Sequence, residues 1–196
     1  MTHYFIGDLH FGHEKVSTIR GFESTEEHDD HIVEAWLQTV RKEDIVTVMG
    51  DISSGTKAKE LRALALLDSL PGRKRLMAGN HDSISGVHRV DSPNKAHFYD
   101  VFERINDFGR IRLDGKYFLL SHFPYASQGD GPTRGEGRFM EYRLPDTGMH
   151  LIHAHTHHNY PFNGSLTGRE MCVSWDAWDR LVGVEDLLTW ANKEKP

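Results

Sequence analysis

Carboxylate and imidazole side chains stand at the ends of five short apolar runs in this sequence. In chain order the runs are followed by Asp8 and His10, by Asp51, by Asn80, His81 and Asp82, by His122, and by His153, His155 and His157. Ligands of α/β sheets bind outside the carboxyl ends of the strands, so residues far apart in sequence can converge there. We therefore expect these side chains to form one site.

The residue types in this set favour divalent metal ions as the cofactor. Two carboxylates and four imidazoles could act as ligands, with an amide oxygen from Asn80 in addition: Asp8, Asp51, His10, His122, His155 and His157. One catalytic ion takes only three or four ligands from protein, whereas two ions that share a carboxylate would use the whole set. Such a pair acidifies a bridging water and stabilises the attacking and leaving oxygens of an in-line displacement at phosphorus. The pattern predicts a two-metal hydrolytic centre.

The elements that must position these residues alternate over the first 80 residues. Short apolar runs predict strands, and apolar residues at helical spacing predict helices, one of them behind a capping box that begins at Ser24. The predicted strands are 4–6, 45–49 and 75–78, and the predicted helices are 25–41 and 57–70. This alternation is typical of an α/β domain with largely parallel strands.

The second half of the chain predicts a hairpin and further short strands. The hairpin turns at Asp114-Gly115, and it is followed by predicted strands at 149–153, 171–175 and 181–184 and by a closing helix at 185–192. We expect Trp36, Phe118 and Trp190 to be core residues. No break in composition suggests a second domain, so we expect residues 1–196 to form one.

Composition excludes several classes of protein. Lys and Arg number 23 against 29 Asp and Glu, a formal net charge of −6, so we expect no extended nucleic-acid surface. A single cysteine, Cys172, rules out an internal disulfide and a cysteine-rich zinc site, whereas 14 histidines favour nitrogen and oxygen ligation. Because no apolar run approaches roughly 18 residues and the amino terminus lacks a signal-peptide pattern, we expect no membrane partner and a cytoplasmic location.

Five ordered motifs resemble those of the calcineurin-like metallophosphoesterases. They are Gly7-Asp8-Leu9-His10, Gly50-Asp51, Gly79-Asn80-His81-Asp82, Ser121-His122 and Ala154-His155-Thr156-His157. Three further segments are similar to a compact prokaryotic and phage branch of that family, namely Phe11-Gly12-His13, Arg20-Gly21-Phe22 and Val173-Ser174-Trp175-Asp176-Ala177-Trp178. One departure is Ala154, where the family usually has glycine.

The resemblance implies a fold and a set of roles. The fold is a single α/β domain in which two packed sheets are flanked by helices, an αββα sandwich. The cofactors are two divalent metal ions, manganese first and iron, zinc, cobalt or nickel as alternatives. The implied ligands of the first ion are Asp8, His10 and His157, with Asp51 bridging to a second ion held by Asn80, His122 and His155. His81 would protonate the leaving alkoxide, and Asp82 would orient the His81 ring.

Several other polar residues have more than one interpretation. His13 could face the phosphate or cap the following helix. Arg134 and Arg138 are candidates to bind substrate with Asn80, although these arginines and Arg143 lie in a Gly-rich connection, 125–148, where solvated side chains are the usual case. We expect His153 and His158 to have supporting or solvent-facing roles.

The expected function is hydrolysis of phosphodiester bonds in small or cyclic nucleotides, with 2′,3′-cyclic nucleotides among the candidates. A diester releases an alkoxide that needs a proton, which gives His81 a task. Two alternatives stay open: a phosphomonoesterase that acts on a small molecule or a protein, and a non-catalytic metal-binding scaffold of the same fold. Comparing activity on a diester and a monoester separates the first alternative from the expected function.

Overall fold

The computed structural model describes residues 1–91, 93–128, 130, 137–161 and 168–193. Its strands are β1 (His3–Ile6), β2 (Ile45–Val48), β3 (Arg73–Met77), β4 (Arg104–Asn106), β5 (Phe108–Leu113), β6 (Lys116–Ser121), β7 (His150–His153), β8 (Glu170–Cys172) and β9 (Val182–Gly183). Its helices are α1 (Glu14–Ile19), α2 (Thr25–Thr39), α3 (Lys57–Ser69), α4 (Lys95–Val101), α5 (Trp175–Trp178) and α6 (Val184–Lys193). A short 3₁₀ turn spans Met140–Tyr142.

The first sheet has the strand order β4-β3-β2-β1-β9. Strands β1 to β4 pair in parallel, and β9 closes the edge beside β1 in the antiparallel sense. The parallel pairing predicted for the first 80 residues is confirmed. Because Ile6 pairs with Val48 and Val48 pairs with Leu76, the carboxyl ends of β1, β2 and β3 lie level with one another.

The second sheet has the order β5-β6-β7-β8. The predicted hairpin pairs β5 with β6, and β6, β7 and β8 then run parallel. Leu120 pairs with Ile152, so the residues that follow β6 and β7 leave the sheet side by side. A backbone bond from Ala154 N to His122 O, 3.0 Å long, continues this alignment beyond the strands.

Two hydrophobic clusters hold the layers together. In β1, where side chains alternate between the faces of the sheet, Ile6 belongs to the cluster with Trp36 of α2, whereas Phe5 belongs to the cluster with Phe118 of β6. Trp190 of α6 joins the second cluster, its ring centroid 6.2 Å from that of Phe118. The predicted core positions Trp36, Phe118 and Trp190 are all buried. The expected α/β fold, two packed sheets flanked by helices, is confirmed.

Several elements differ from the sequence prediction. Helices α1 and α4 and strand β4 were not predicted, because segments of seven residues or fewer carry too little periodicity. The strand predicted at 171–175 ends at Cys172, since Ser174 caps α5 by accepting a bond from Asp176 N at 3.3 Å. Among the residues described, no helix combines the length and the apolar character needed to cross a bilayer.

Candidate metal centre

The loops that follow β1, β2, β6 and β7 bring two groups of ligands together. The first ligand group is Asp8, His10 and His157, and the second ligand group is Asp51, His122 and His155. Within each group, one ligand atom from each residue lies within 4.8 Å of the others. This is the division of the six residues that the family resemblance implies.

Asp51 lies between the two ligand groups. Its Oδ2 atom is 3.8 Å from Nε2 of His10 and 3.6 Å from Nε2 of His122. Asn80 adds its side-chain oxygen to the second group, 3.2 Å from His122 Nε2. A single carboxylate oxygen of Asp51 therefore lies near a histidine nitrogen of each ligand group.

Hydrogen bonds on the outer side fix the tautomers of three imidazoles. Nδ1 lies 3.1 Å from Ser53 O in His10, 2.7 Å from Met49 O in His122, and 3.0 Å from a carboxylate oxygen of Asp176 in His157. Each of these oxygens accepts a hydrogen bond from Nδ1–H, so Nε2 of the neutral ring is left with a lone pair directed into the site.

The facing Nε2 atoms of His10 and His157 need a positive charge between them, either a metal ion or a proton, because the carboxylates of Asp8 and Asp176 raise the pKa of His157 against the opposing effect of its burial. Nε2 of His10 and Nε2 of His157 lie 3.0 Å apart, and with both protons on Nδ1 neither atom can donate to the other. Burial lowers the pKa of His10 well below its usual value and lowers that of His155 to about 4, so neutral rings favour cation ligation. A divalent ion held by both nitrogens would remove the repulsion between neutral rings, as would a proton on His157.

Asp8 provides a second indication that a cation belongs here. Its Oδ2 accepts a hydrogen bond from the backbone N–H of His155, 2.9 Å long, whereas its buried Oδ1 has no hydrogen-bond partner in the described part of the chain. Burial raises the pKa of this carboxyl. An unpaired buried carboxylate oxygen is strongly unfavourable unless a cation neutralises it, so the residues present fit a metal ion.

The backbone is strained where it presents the ligands. Positive φ angles, which residues other than glycine rarely adopt, occur at Asp8 (55°), His10 (50°), Asp51 (56°), His155 (70°) and His157 (49°). Such strain clusters at functional sites, where the surrounding structure overcomes it. These five left-handed turns aim the side chains inward from the strand ends.

Glycines and Ala154 meet different requirements at these loops. Of the glycines that precede site residues, Gly7, Gly50 and Gly79, only Gly50 has a positive φ, 90°. A Cβ atom on Gly50 would lie 2.6 Å from the backbone nitrogen of Gly79. A Cβ atom on Gly7 would lie 2.6 Å from Cβ of Ala154. Ala154 is not among the residues with positive φ, so its departure from the family's glycine introduces no backbone strain.

The expected role of Asp82 is wrong. Its carboxylate does not orient the His81 ring but accepts backbone N–H bonds from Asp51 (2.9 Å), Ile52 (2.9 Å) and Gly79 (2.8 Å). Asp82 is fully buried and thereby ties the loop after β3 to the loop after β2. Its contribution is to the backbone that presents Asp51, because a buried carboxylate with three such bonds rigidifies what it holds.

A cavity of about 630 Å³ opens above the ligands. His81 lines it, with its backbone N–H donating to Asp51 Oδ1 at 2.8 Å and its ring centroid 5.3 Å from that of His10. The capping interpretation of His13 is confirmed, because its Nδ1 accepts a long bond, 3.5 Å, from Val16 N at the start of α1. His13 also lines the cavity, and its interpretation as a phosphate-facing residue stays a prediction.

The sequence is related to phage proteins along nearly its whole length. It is 40% identical over 195 residues to the Gene 66 protein of Mycobacterium phage D29, covering 96% of this chain and 95% of that protein. It is 37% identical to the Gene 66 protein of Mycobacterium phage L5, covering 96% and 93%. The chain belongs to the Gene 66 protein family. An uncharacterized protein of Methanocaldococcus jannaschii is 31% identical over 81% of this chain and 73% of its own length.

Solved structures show the fold that this Gene 66 family member shares. A protein of unknown function from Aquifex aeolicus matches with a TM-score of 0.71 at 24% identity, covering 96% of this chain and 98% of that one. A phosphopantetheinyl hydrolase from Mycobacterium tuberculosis is weakly similar, with a TM-score of 0.34 at 16% identity over 71% of this chain and 48% of that one. No protein-family model matches the sequence.

Behind the first ligand group, the Gene 66 family member has an ion pair that sequence reasoning missed. Asp176, which bonds to His157, accepts from Arg20 Nε at 3.0 Å and from Arg20 Nη2 at 2.6 Å. Arg20 also donates to the backbone oxygen of Asp8 at 2.7 Å and contacts His28 Nε2 at 2.8 Å. The motifs that contain Arg20 and Asp176 stood out in the sequence, but nothing in them indicates that the two residues meet.

Behind the second ligand group, Asp130 of the Gly-rich connection contacts His155, as Asp176 contacts His157 in the first group. Oδ1 of buried Asp130 lies 3.4 Å from His155 Nε2 and also contacts Arg143, while its Oδ2 accepts from Arg138 Nε at 2.8 Å. Arg143 is buried, so its interpretation as a solvated side chain is wrong. Arg138 is half-exposed and lines the cavity. Arg134 lies outside the described residues.

The flanking histidines occupy different environments. His153 is fully buried, with Nδ1 2.8 Å from Ala154 O, and burial lowers its pKa to about 3. Its solvent-facing interpretation is therefore wrong. His158 is half-buried and lines a second cavity beside the first.

Proposed function

We propose that the protein is a metal-dependent phosphodiesterase that uses two divalent ions, manganese first among them, and acts on small or cyclic nucleotides. The observation that carries the proposal is the pair of ligand groups that meet at Asp51 Oδ2, with imidazole lone pairs only 3.0 Å apart in the first group. Asp8, His10 and His157 would hold one ion, and Asn80, His122 and His155 the other, with Asp51 between them.

The chain's own residues supply the remaining functions. Two divalent ions held by these residues would supply Lewis acidity and would lower the pKa of the attacking water. His81, on the cavity wall, donates a proton to the leaving oxygen. Arg138 contributes a guanidinium anchored through Nε to Asp130, which pre-organises it to bind a phosphoryl oxygen. His13 and Asn80 complete the polar surface that faces the substrate.

A diester fits this arrangement better than a monoester does. Hydrolysis of a dialkyl diester at the centre would release an alkoxide, a poor leaving group that requires protonation. The cavity is open and wide enough, about 630 Å³, for two ester arms. A positioned general acid contributes typically 10²- to 10⁴-fold to such a step, so His81 would have its largest effect on substrates with poor leaving groups.

The test compares two chromogenic esters on the same protein. Protein stripped with a chelator is reloaded separately with manganese, iron, zinc, cobalt or nickel and assayed on bis(p-nitrophenyl) phosphate and on p-nitrophenyl phosphate. We expect no activity without metal and a clear preference for the diester after loading. A strong preference for the monoester would instead establish a phosphomonoesterase, and 2′,3′-cyclic nucleotides assayed alongside would show whether cyclic diesters are substrates.

Leaving-group dependence tests the role of His81. His81→Ala should lower hydrolysis of methyl thymidine 5′-phosphate, whose leaving groups are alkoxides, by about 100-fold or more. The same variant should have a much smaller effect on bis(p-nitrophenyl) phosphate, because p-nitrophenolate leaves without a proton. His97→Ala, at an exposed histidine of α4, is the matched control. Equal losses on both substrates would show that His81 is not the general acid.

The scaffold alternative makes a different prediction. A non-catalytic protein would bind two ions per chain and hydrolyse none of these esters under any metal. Counting bound ions by elemental analysis on the samples used for the assays therefore separates a scaffold from a preparation that has failed to load. Turnover that is lost in Asp51→Asn would exclude the scaffold.

A further inference from the structure

A second cavity, of about 710 Å³, adjoins the metal centre. Ile19, His157 and Asp176 line both this cavity and the one above the ligands, so the two cavities lie side by side. His157 belongs to the first ligand group, and a group bound in the second cavity would therefore lie directly beside a phosphate held at the metals. Nothing in the proposed hydrolysis uses this space.

Planar rings dominate the lining of the second cavity. Phe22, Tyr160 and Trp175 contribute aromatic rings, and His31 and His158 contribute imidazoles. The ring of His31 lies 5.4 Å from that of Phe22 and 5.7 Å from that of Trp175, while His158 and Tyr160 lie 5.4 Å apart. We call this lined space the aromatic cavity.

Apolar side chains are exposed around the aromatic cavity. Tyr160 is 44% exposed and Ile19, where the two cavities meet, is 71% exposed. Single exposed apolar residues are common, but a group of them in a concave surface beside a reactive centre is typical of a ligand site. Aromatic faces of this kind stack with flat heterocycles.

Charge in the aromatic cavity argues against a second phosphate. Arg20 directs its guanidinium to Asp176, His28 and backbone oxygens, and His31 Nε2 lies 3.0 Å from Asp179 Oδ1. Among the described lining residues, the carboxylates of Asp176 and Asp179 therefore offset the cationic groups. A neutral planar group suits this lining, and an anion does not.

We propose that the aromatic cavity binds a nucleobase, the base of one ester arm of a phosphodiester whose phosphorus lies at the metal centre. This inference rests on the proposed function, because the metals place the phosphate. It adds where on the protein the base of such a nucleotide diester is held, and it predicts that simple alkyl or glycerol diesters bind less tightly. The base stacks on the rings of Tyr160 and Phe22, with Trp175 beside them.

The experiment compares ester arms on a common leaving group. The p-nitrophenyl esters of thymidine 5′-phosphate, ethyl phosphate and hexyl phosphate all release p-nitrophenolate, so their KM values on the manganese-loaded protein compare the arms. Alanine substitution of a stacking residue typically changes binding of a base by roughly 5- to 100-fold. We expect the KM of the thymidine ester to be at least about 10-fold below that of the ethyl ester.

Two variants and a control locate the effect. Tyr160→Ala and Phe22→Leu should each reduce the ratio of the ethyl to the thymidine KM by about 5-fold or more. Tyr99→Ala removes an exposed tyrosine of α4 (68% exposed), outside both cavities, and should keep the ratio of the wild type. A wild-type ratio near one, or a ratio retained in both cavity variants, would overturn the proposal while leaving the phosphodiesterase intact. Equal KM values for the hexyl and thymidine esters would also overturn it, since they indicate a general apolar cavity.

A binding measurement keeps the test independent of turnover. Titration calorimetry compares thymidine 5′-monophosphate with ethyl phosphate on the metal-loaded protein. The nucleotide should bind at least about 10-fold more tightly, and Tyr160→Ala should remove most of that difference. If neither diester is hydrolysed, the proposed function fails, but tighter binding of the nucleotide would still support the base site and equal binding would reject it.

Discussion

The two ligand groups are built alike but are supported differently. In each, a histidine from the segment after β7 has a buried or half-buried carboxylate behind it: Asp176 at His157 and Asp130 at His155. The first contact is 3.0 Å long and the second 3.4 Å. Carboxylates in this position fix the tautomer and orientation of a ligating imidazole, so the shorter contact should hold its ring more firmly.

The support of the first ligand group extends deep into the fold. Arg20 holds Asp176 through two nitrogens and reaches His28. His28 Nδ1 lies 2.9 Å from Asp29, whose carboxylate in turn accepts from the backbone N–H of Gly12. Charge-assisted bonds therefore connect this group to α2, an element that belongs to the hydrophobic core.

The support of the second ligand group comes from two unlike sources. Asp82 fixes the backbone of Asp51 from the loop that follows β3, whereas Asp130 reaches His155 from the connection between β6 and β7. Arg138, which bonds to Asp130, also lines the cavity above the ligand groups. One group is therefore held by residues of the core elements, while the other is held partly by a segment that lines this cavity.

The largest expected effect tests what the two groups share. Asp51→Asn removes the charge of the carboxylate that lies between both, so hydrolysis of bis(p-nitrophenyl) phosphate should fall by about 1000-fold or more. Binding of both ions should weaken, as measured by elemental analysis after dialysis. Asp100→Asn, at an exposed carboxylate of α4, is the control. Loss of one ion with the other bound as tightly as before would show that Asp51 is not shared.

The next effect should fall on the first group alone. Asp176→Asn weakens the acceptor behind His157 and the ion pair with Arg20, so manganese affinity at one of two sites should fall by about 100-fold. Titration calorimetry measures this, and we expect it to show two binding events in the wild type. The second event should change by less than about 3-fold. Equal weakening of both events would contradict the separate support of the two groups.

The loops of the two ligand groups approach each other closely at Gly7 and Ala154, and a substitution that measures stability tests this approach. Gly7 precedes Asp8 of the first group, and Ala154 precedes His155 of the second, and a Cβ atom on Gly7 would lie 2.6 Å from that of Ala154. Gly7→Ala should therefore lower the free energy of unfolding by about 2 kcal/mol, measured by urea denaturation of metal-free protein.

A double-mutant cycle supplies the control for that contact. Adding Ala154→Gly to Gly7→Ala should recover about 1 kcal/mol, because it removes one of the two clashing atoms. Gly109→Ala should be nearly neutral, since a Cβ atom there meets only the side chain of Met77, at 3.9 Å. If Ala154→Gly gives no recovery, the close approach of the two loops is not what makes glycine necessary at position 7.

The sequence was sufficient to predict which residues meet in the two candidate ligand groups, because these residues obey a local rule. Each of them follows a strand, and the parallel register then brings strand ends together, as with Asp8 and Asp51 after β1 and β2. The fold class follows from the same alternation of strands and helices. Short elements such as α1 were missed because a helix of six residues is stabilised by its cap and its packing instead of by a periodic pattern.

The supporting residues were beyond sequence reasoning for a different physical reason. A hydrogen bond between Asp176 and His157, or between Asp82 and Asp51 N, depends on the direction of a side chain after the loops have packed. Asp82 is an example. Its position next to His81 in the sequence suggested a bond to the His81 ring, but its carboxylate accepts hydrogen bonds from three backbone N–H groups instead. Residue type and spacing carry no information about such directions.

The smallest expected effect tests the support that comes from the connection between β6 and β7. Asp130→Asn leaves an acceptor beside His155 but removes the charge that pairs with Arg143 and Arg138. The contact between Asp130 and His155 is already long, 3.4 Å, so its weakening should have a limited effect. Manganese affinity at the second group should therefore fall by about 10-fold, less than the loss in Asp176→Asn. Asp146→Asn, at a carboxylate of the same connection that pairs with Arg169, is the matched control.

Because Arg138 loses its anchor, KM for a diester should also rise in Asp130→Asn, whereas in Asp176→Asn at saturating manganese it should not. A rise in KM in both variants would mean that the two supports act on the substrate alike, and the distinction between scaffold and substrate-facing support would then fail.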